Sequence, residues 1–437
     1  MARRRSERIL AAAVAAQLVA GVTSAVLLQP PHARAARPVL NRAANVRVDV
    51  QARSVAVRRL LAARALAVLH RDRRAFLATV DPTATAFLAR QGRLLDALRE
   101  VPLASWAYAI DASDVRPHTA ALDRRRGTWW APAVTLRFAL AGFDRSPTTE
   151  KQGLTFVLRG THWYVGAYDD FATTGHPTTR DLWDEGPVLA QRGARCLVLS
   201  HSESAALGRQ LVRDCDAAVP RVTAVWGRSW VQRVVVVVPD SPEELTRMVP
   251  DAGDLRQIAA VATAELDAPA TGYHPVGDRI LVNPATYTQL GALGERVVMT
   301  HEVTHVASRS ATGVQVPTWM VEGLADYVGY QGLRIPLALS AQELQADVRA
   351  GKVPRALPAD GAFDGSRSDL AQVYEQSWLA VVLLARTYGQ SALLRLYREV
   401  GADGRTGALD RALHRGLDTS LRDFTALWRA DLRHRLS

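Results

Sequence analysis

Two histidines that stand four residues apart, His301 and His305, are the residues of this 437-residue chain best suited to chemistry. They lie in a stretch, 291–308, whose apolar residues recur at helical spacing, and helical residues at i and i+4 share one face. Two imidazoles on one face can bind one zinc ion. Glu302, about 100° around the helix from His301, can then act as general base on an attacking water. The spacing therefore predicts a helix that carries a catalytic zinc site.

A third metal ligand is expected on the next helix. Pro317 suits the first turn of a helix, and Glu322 and Asp326 then share one face of it. Two histidines and one carboxylate make a three-ligand site with one open position, which is the arrangement of catalytic zinc. Asp326 is placed to accept a hydrogen bond from the outer nitrogen of a ligand histidine. Such a bond fixes the tautomer of the ring and raises its basicity.

The segments 301–305 (His-Glu-Val-Thr-His) and 319–327 (Trp-Met-Val-Glu-Gly-Leu-Ala-Asp-Tyr) resemble the gluzincin metallopeptidases of the peptidase MA-like family. The similarity covers roughly residues 190–437. It implies a zinc peptidase with a zincin-like domain, and it assigns the zinc ligands to His301, His305 and Glu322 and the activation of water to Glu302.

The same resemblance implies that the strand before the zinc helix, 279–283, forms the edge along which an extended substrate lies. Two related classes fit less well. A metzincin would have a glycine and a third histidine where this chain has Ser308 and Ala311. The chain also lacks the Gly-x-Met-Glu-Asn string of the gluzincin aminopeptidases, so we expect an endopeptidase rather than an aminopeptidase.

A zinc peptidase also needs a donor for the oxyanion that forms when water attacks a carbonyl. Tyr374 is the candidate, because it is predicted to open a helix and because a Tyr and a Gln recur at such a helix start in the resembling family. The alternative for Tyr374 is a packing or capping role, and Tyr327 is a second candidate for the donor. His201 lies in a serine-rich stretch without a nucleophile elbow, which predicts a polar turn.

The fold class is predicted to be α+β, in two dissimilar halves. Helical spacing over 60–98, followed by extended segments at 105–110, 129–140 and 154–167, predicts helices layered on a curved antiparallel sheet. This order resembles the nuclear transport factor-like cone fold, whose sheet wraps a helix to form a pocket. Four aromatic residues are then either pocket walls or sheet core: Trp129, Trp130, Trp163 and Tyr164.

The second half is predicted to begin with buried strands at 196–199 and 231–238 around a helix at 204–218, and to end in three or four amphipathic helices from 374 onward. The predicted organisation is a signal peptide or membrane anchor over 1–36, a linker over 37–50, a cone-like domain over 51–172, a second linker over 173–188, and a gluzincin-like metallopeptidase domain over 189–437 with a helical carboxyl-terminal part.

The amino terminus predicts export. A basic leader precedes an uncharged apolar run, 9–28, which is typical of a signal peptide and is also long enough to act as an uncleaved membrane tether. Either outcome places the rest of the chain outside the cell or at the cell surface. In that oxidising environment Cys196 and Cys215 are expected to form a disulfide, the alternative being two buried thiols.

The net charge of +11 argues for no particular partner. Its arginines are scattered among acids and no nucleic-acid recognition motif accompanies them, so we expect a peptide or protein substrate and no nucleic acid. The predicted function is an exported zinc metallopeptidase with Zn²⁺ as cofactor. The alternative is a cell-surface zinc protein that binds without hydrolysis. Glu302 favours the enzyme, because a structural zinc site usually has four protein ligands and no use for a base.

Overall fold

A computed structural model of the chain describes residues 43–249, 258–267, 274–365 and 367–437, with the backbone alone at 43–49, 266–267 and 274. The described residues form both helices and sheets, in agreement with the predicted mixed α and β class. The chain divides into two compact units, with the boundary between residues 190 and 191. The predicted leader 1–36 and its apolar run lie outside the described residues. Within the described ranges, no helix has the length and apolar character needed to cross a membrane.

The amino-terminal unit contains helices and two three-stranded antiparallel sheets. Its first helix includes residues 43–50, which were predicted to be a linker. That segment has no proline or glycine to stop a helix, so the helix extends through it. The elements are α1 Ala43–Leu69, α2 Arg73–Leu77, α3 Thr85–Ala97, β1 Leu103–Val115, α4 Ala120–Arg126, β2 Trp129–Trp130, β3 Pro132–Leu140, β4 Thr148–Gln152, β5 Leu154–Arg159, β6 His162–Tyr168 and α5 Leu182–Glu185.

Two of the predicted extended segments are each divided between strands. β2 and β3 belong to different sheets, whose strand orders are β2-β5-β6 and β1-β3-β4. β5 and β6 form a hairpin that turns at Gly160, where a φ of +59° suits glycine. The sequence did not predict β4. The unit is thus built from shorter strands than the sequence predicted.

Aromatic residues form much of the core of this unit. Trp129 and Trp130 are 1% and 2% exposed and pack in the sheets, which agrees with the sheet-core alternative for them. The segment 173–188, predicted as a linker, contains α5. Trp183 on that helix packs edge-on against Trp106 and Phe138, with ring centroids 6.1 and 5.2 Å apart. The segment therefore belongs to the core of the amino-terminal unit, because burying this indole fixes it there.

The carboxyl-terminal unit is organised around a five-stranded sheet of order β10-β11-β9-β8-β7. β8, β9 and β11 run parallel, and β10 pairs antiparallel with β11. β8 and β9 are buried along their whole length, as is typical of parallel strands covered on both faces. The strands are β7 Leu189–Arg192, β8 Cys196–Ser200, β9 Val234–Val238, β10 Ala260–Asp267 and β11 His274–Val282.

A disulfide fastens the sheet to the helix that follows β8. It joins Cys196 on β8 to Cys215 on α6, Ala205–Trp226, and both residues are fully buried. The two cysteines were predicted to pair, and the structure has this pair. α6 runs through Pro220 to Trp226, farther than the predicted end at 218.

The remaining helices cover the sheet and surround the predicted metal ligands. The helix that carries both histidines has the predicted bounds, Gly291–Ser308. The helix predicted to open at Tyr374 begins instead at Leu370, because Leu370 and Val373 are buried and add a turn to its apolar face. The helices are α7 Pro242–Met248, α8 Pro284–Tyr287, α9 Gly291–Ser308, α10 Thr318–Gly329, α11 Leu337–Ser340, α12 Gln342–Arg349, α13 Leu370–Tyr388, α14 Gln390–Ala402, α15 Ala408–Leu417 and α16 Leu421–Leu436.

Candidate metal centre

The helix that carries both histidines passes through the core of the carboxyl-terminal unit. Every residue of α9 from Val297 to Ser308 is buried. Its polar residues avoid unpaired hydroxyls by bonding back to the helix: Thr300 donates to the carbonyl of Arg296, and Thr304 donates to the carbonyl of Thr300. A helix buried on all sides thus holds imidazoles and a carboxylate away from water.

Two glycines let the neighbouring helices approach closely. A Cβ on Gly323 of α10 would lie 2.4 Å from the carbonyl oxygen of Ser377 on α13. A Cβ on Gly329 would lie 3.1 Å from the carbonyl oxygen of Val297 on α9. α10 is therefore in near-backbone contact with both helices, and this contact brings Glu322 to the face of the two histidines.

Three nitrogen and oxygen atoms converge at that face. The Nε2 atoms of His301 and His305 are 2.9 Å apart. Oε2 of Glu322 lies 3.2 Å from Nε2 of His301 and 3.3 Å from Nε2 of His305. Ligands at about 2.0–2.1 Å from a tetrahedral zinc ion would be about 3.3 Å apart, so this triangle has the size of a zinc site. Among the described residues, the three predicted ligands form a group whose atoms are close enough together to hold a metal ion.

The hydrogen bonds around the triangle suit a cation. Nδ1 of His301 lies 2.8 Å from Oδ1 of Asp326, the contact expected from the sequence. With the ring proton on Nδ1, Nε2 presents a lone pair to Glu322, whose Oε2 is buried and has no hydrogen-bond partner. Without a metal, a second proton on His301 supplies positive charge between these atoms, and a bound metal ion would replace that proton. The donor set of two imidazoles and one carboxylate fits zinc.

The charges at the site are strongly coupled. Burial raises the pKa of Glu322, but His305 and His301 outweigh it and lower that pKa to about 2. Burial lowers the pKa of His301, but the surrounding carboxylates, Asp326 first, raise it well above its usual range. Burial also raises the pKa of Asp326. The Glu322 carboxylate is therefore ionised near neutral pH, which a metal ligand requires.

Glu302 lies beside the triangle and not in it. It is 1% exposed, and burial raises the pKa of its carboxyl, which the nearby histidines offset in part. The backbone N–H of Ala262 donates a hydrogen bond to this carboxylate. Its Oε2 is buried without a hydrogen-bond partner. A carboxylate of raised pKa with one free oxygen is suited to take up a proton and release it.

The order of the strands in the sheet corrects the predicted edge strand. Among the described strands, β10 and not the segment 279–283 lies at the edge of the sheet, since β11 is paired on both sides. Arg309, which caps α9, donates to the carbonyl of Ala262 at 2.9 Å and to Asp278 at 2.7 Å. The sequence did not predict β10, because the alanines within 259–264 gave no distinct strand pattern.

Tyr374 is near the site, but in the interior of α13 instead of at its start. Its hydroxyl is buried and has no hydrogen-bond partner, while its ring packs edge-on against Phe363 at 5.5 Å. Burial and the negative charges of Glu322, Asp326 and Glu302 raise the pKa of this hydroxyl well above its usual range, so it stays a donor. The hydroxyl of Tyr327, the second candidate for the donor, already has a partner, because it donates a hydrogen bond to the side-chain oxygen of Gln390 at 3.0 Å.

The structure keeps His201 apart from this site. The residue precedes the turn that leads into α6, as the polar-turn prediction expected. It is 5% exposed, and its Nε2 lies 2.9 Å from Oε1 of Glu244 in a buried pair. No protein-family model matches the chain, and neither a curated protein nor a solved structure matches it. The chemistry of the site therefore follows from its donor atoms and their burial.

Proposed function

We propose that the protein is a zinc metallopeptidase that hydrolyses peptide bonds. The observation that carries the proposal is the convergence of His301, His305 and Glu322 within 3.3 Å of one another. Glu302 and Tyr374 are buried close enough for the charges of this group to shift their pKa values. Three protein ligands leave one position for catalysis, whereas structural zinc usually has four. A base beside the ligands has no structural purpose.

Each side chain then has a distinct task. Zinc, when bound, supplies a Lewis acid that polarises a carbonyl and makes water a better nucleophile. Glu302 accepts one proton from the attacking water, and the same carboxyl delivers that proton to the leaving amine. Tyr374 donates a hydrogen bond to the oxygen of the attacked carbonyl as negative charge develops there. Asp326 holds His301 in one tautomer through its 2.8 Å contact.

The substrate is a peptide in extended conformation. β10 is one of the two edge strands of the described sheet, and Ala262 on it bonds to Glu302, so a peptide aligned with this edge would pass the general base. A peptide that pairs with an edge strand needs no free amino terminus at the site, which favours an endopeptidase over an aminopeptidase. β10 thus replaces the segment 279–283 as the strand edge proposed to bind the substrate.

The same proposal includes the domain type and the location. We infer a gluzincin-like domain over 189–437 and a cone-like domain over 51–172, the latter from helices packed with antiparallel sheets. We infer export, with release or tethering through 9–28, from the basic leader and apolar run. The disulfide between Cys196 and Cys215 supports export, because such bonds persist in oxidising compartments.

Digestion of a mixed peptide library, with measurement of bound zinc, tests the proposal. The purified full chain should hold one zinc and cut peptides internally. Glu302→Gln should hold the same zinc and lose cleavage, because it keeps the shape of the side chain and removes the base. Loss of zinc from the parent chain, or equal cleavage by both proteins, would reject the mechanism.

The second candidate function is a zinc-containing binding protein of the cell surface that does not hydrolyse its ligand. The burial of the site favours this candidate, since Glu302 and Glu322 are each only 1% exposed. If the parent chain and Glu302→Gln both hold zinc and neither cuts any library peptide, this candidate replaces the peptidase.

A further inference from the structure

The amino-terminal unit buries an arginine that has no acidic partner. Arg64 on α1 is 3% exposed, and no carboxylate in the described ranges lies within ion-pair distance of its guanidinium. It donates to two neutral oxygens, the hydroxyl of Thr79 at 3.1 Å and the side-chain oxygen of Gln91, and it lies 3.9 Å over the ring of Phe76. A buried charge without a counter-charge is costly. A negative charge supplied from outside the chain would remove that cost.

The guanidinium borders a cavity of about 30 Å³, which has room for about two water molecules. Hydrogen-bond donors without acceptors are present at its wall. Nε of Arg64 and the side-chain nitrogen of Gln91 are both buried and lack partners. The hydroxyl of Tyr108 accepts a hydrogen bond from Nε1 of Trp106 at 3.0 Å, so its own proton is still to be donated. Acceptors also line the cavity, in the side chains of Glu150, Gln152 and Thr178, but none of them is hydrogen-bonded to Nε of Arg64 or to the side-chain nitrogen of Gln91.

The other walls are mainly apolar. Leu94, Leu136, Leu154 and Trp183 are among them. Asp184 also lines the cavity, and burial raises the pKa of its carboxyl to about 7. That carboxyl is therefore partly protonated near neutral pH and repels an anion less than an ordinary aspartate would. A group that is charged at one end and apolar at the other fits these surroundings.

We propose that this cavity binds the carboxylate group of a small organic acid through Arg64 and Gln91. The guanidinium and the side-chain amide offer N–H groups to the two carboxylate oxygens, and charge-assisted bonds of this kind are the strong ones. The volume admits a carboxylate and little more, so any longer part of the acid extends out of the cavity. A free small acid and the end of a longer acid share this chemistry. The site is independent of the metal centre.

Acetate binding to the full chain tests the proposal, with acetamide as a neutral molecule of the same shape. Ligand-detected NMR should show saturable binding of acetate and none of acetamide, and acetate should raise the melting temperature. Arg64→Gln should weaken acetate binding at least about tenfold, as expected for loss of a charged hydrogen-bond donor. Arg59→Gln is the matched control on the same helix, since Arg59 is exposed. It should bind acetate as the parent does.

A second variant covers the case in which Arg64→Gln does not fold. Gln91→Leu removes the other donor and keeps the charge, and it should weaken acetate binding at least about threefold. Hexanoate that binds more tightly than acetate would support the end of a longer acid, and equal binding would support a free small acid. Acetate that binds no better than acetamide, chloride that competes as well as acetate, or unchanged binding in both variants would overturn the proposal.

Discussion

Replacing Asp326 by asparagine isolates the contribution of one charge to metal binding. The carboxylate lies 2.8 Å from Nδ1 of His301, and both residues are 1% exposed. Asparagine keeps the size and one oxygen acceptor but removes the negative charge that makes His301 a stronger ligand. Because the contact is buried, solvent screens it little, so the loss should be near the upper part of the usual range.

The expected effect is a weakening of zinc affinity. A charge-assisted hydrogen bond contributes about 1.5–3 kcal/mol, which corresponds to a rise of about 10- to 100-fold in the dissociation constant for zinc. Competition against a chromophoric chelator at fixed pH measures this constant. Circular dichroism of the zinc-free protein checks that Asp326→Asn is folded.

The chain offers a matched control in its other buried pair of histidine and carboxylate. Oε1 of Glu244 lies 2.9 Å from Nε2 of His201, and Glu244 is 4% exposed, but among the described residues no third histidine, cysteine or carboxylate completes a metal site there. Glu244→Gln should leave the zinc constant unchanged. If Asp326→Asn binds zinc as the parent does, or if Glu244→Gln weakens zinc equally, the role assigned to Asp326 is refuted.

Three further predictions concern the oxyanion donor, helix packing and pH. Tyr374→Phe should lower kcat about 10²- to 10³-fold at unchanged zinc content in a peptide-cleavage assay, and equal kcat would leave Tyr374 a packing residue. Gly323→Ala should lower the free energy of unfolding by about 1–3 kcal/mol in urea, because its Cβ would lie 2.4 Å from the carbonyl oxygen of Ser377; unchanged stability would contradict that contact. Burial raises the pKa of Asp184 from 3.8 to about 7, so the folded state binds more protons and loses stability as pH rises through that window. Asp184→Asn should therefore gain stability over the parent, on the order of 4 kcal/mol by pH 7.5 in urea titrations, and a difference independent of pH would refute this.

The zinc helix and its partners could be predicted because their information is local. Helical spacing over 291–308 sets the bounds of α9, and the positions i and i+4 place His301 and His305 on one face whatever surrounds them. The same rule places Glu322 and Asp326 on one face of the next helix. The identity of these side chains then limits what they can bind.

Other features depend on contacts between distant parts of the chain. The edge strand is β10 because it pairs with β11 on one side only, and strand order is set by non-local pairing that periodicity does not report. The segment 173–188 was predicted as a linker because its composition is polar, yet burial of Trp183 fixes it to the amino-terminal unit. Tyr374 was expected at a helix start, whereas packing extends α13 back to Leu370.

The sequence by itself determined which side chains could bind a metal, which helices carry them and which face they share, since these follow from residue type and helical period. Only the tertiary structure decided that the three ligand atoms meet, that the hydroxyl of Tyr374 is buried near their charges, and that Arg64 is buried with no ion-paired acid among the described residues. The reason is physical: a pattern along the chain fixes which face is buried, but distances and pKa values depend on what another part of the chain places against that face.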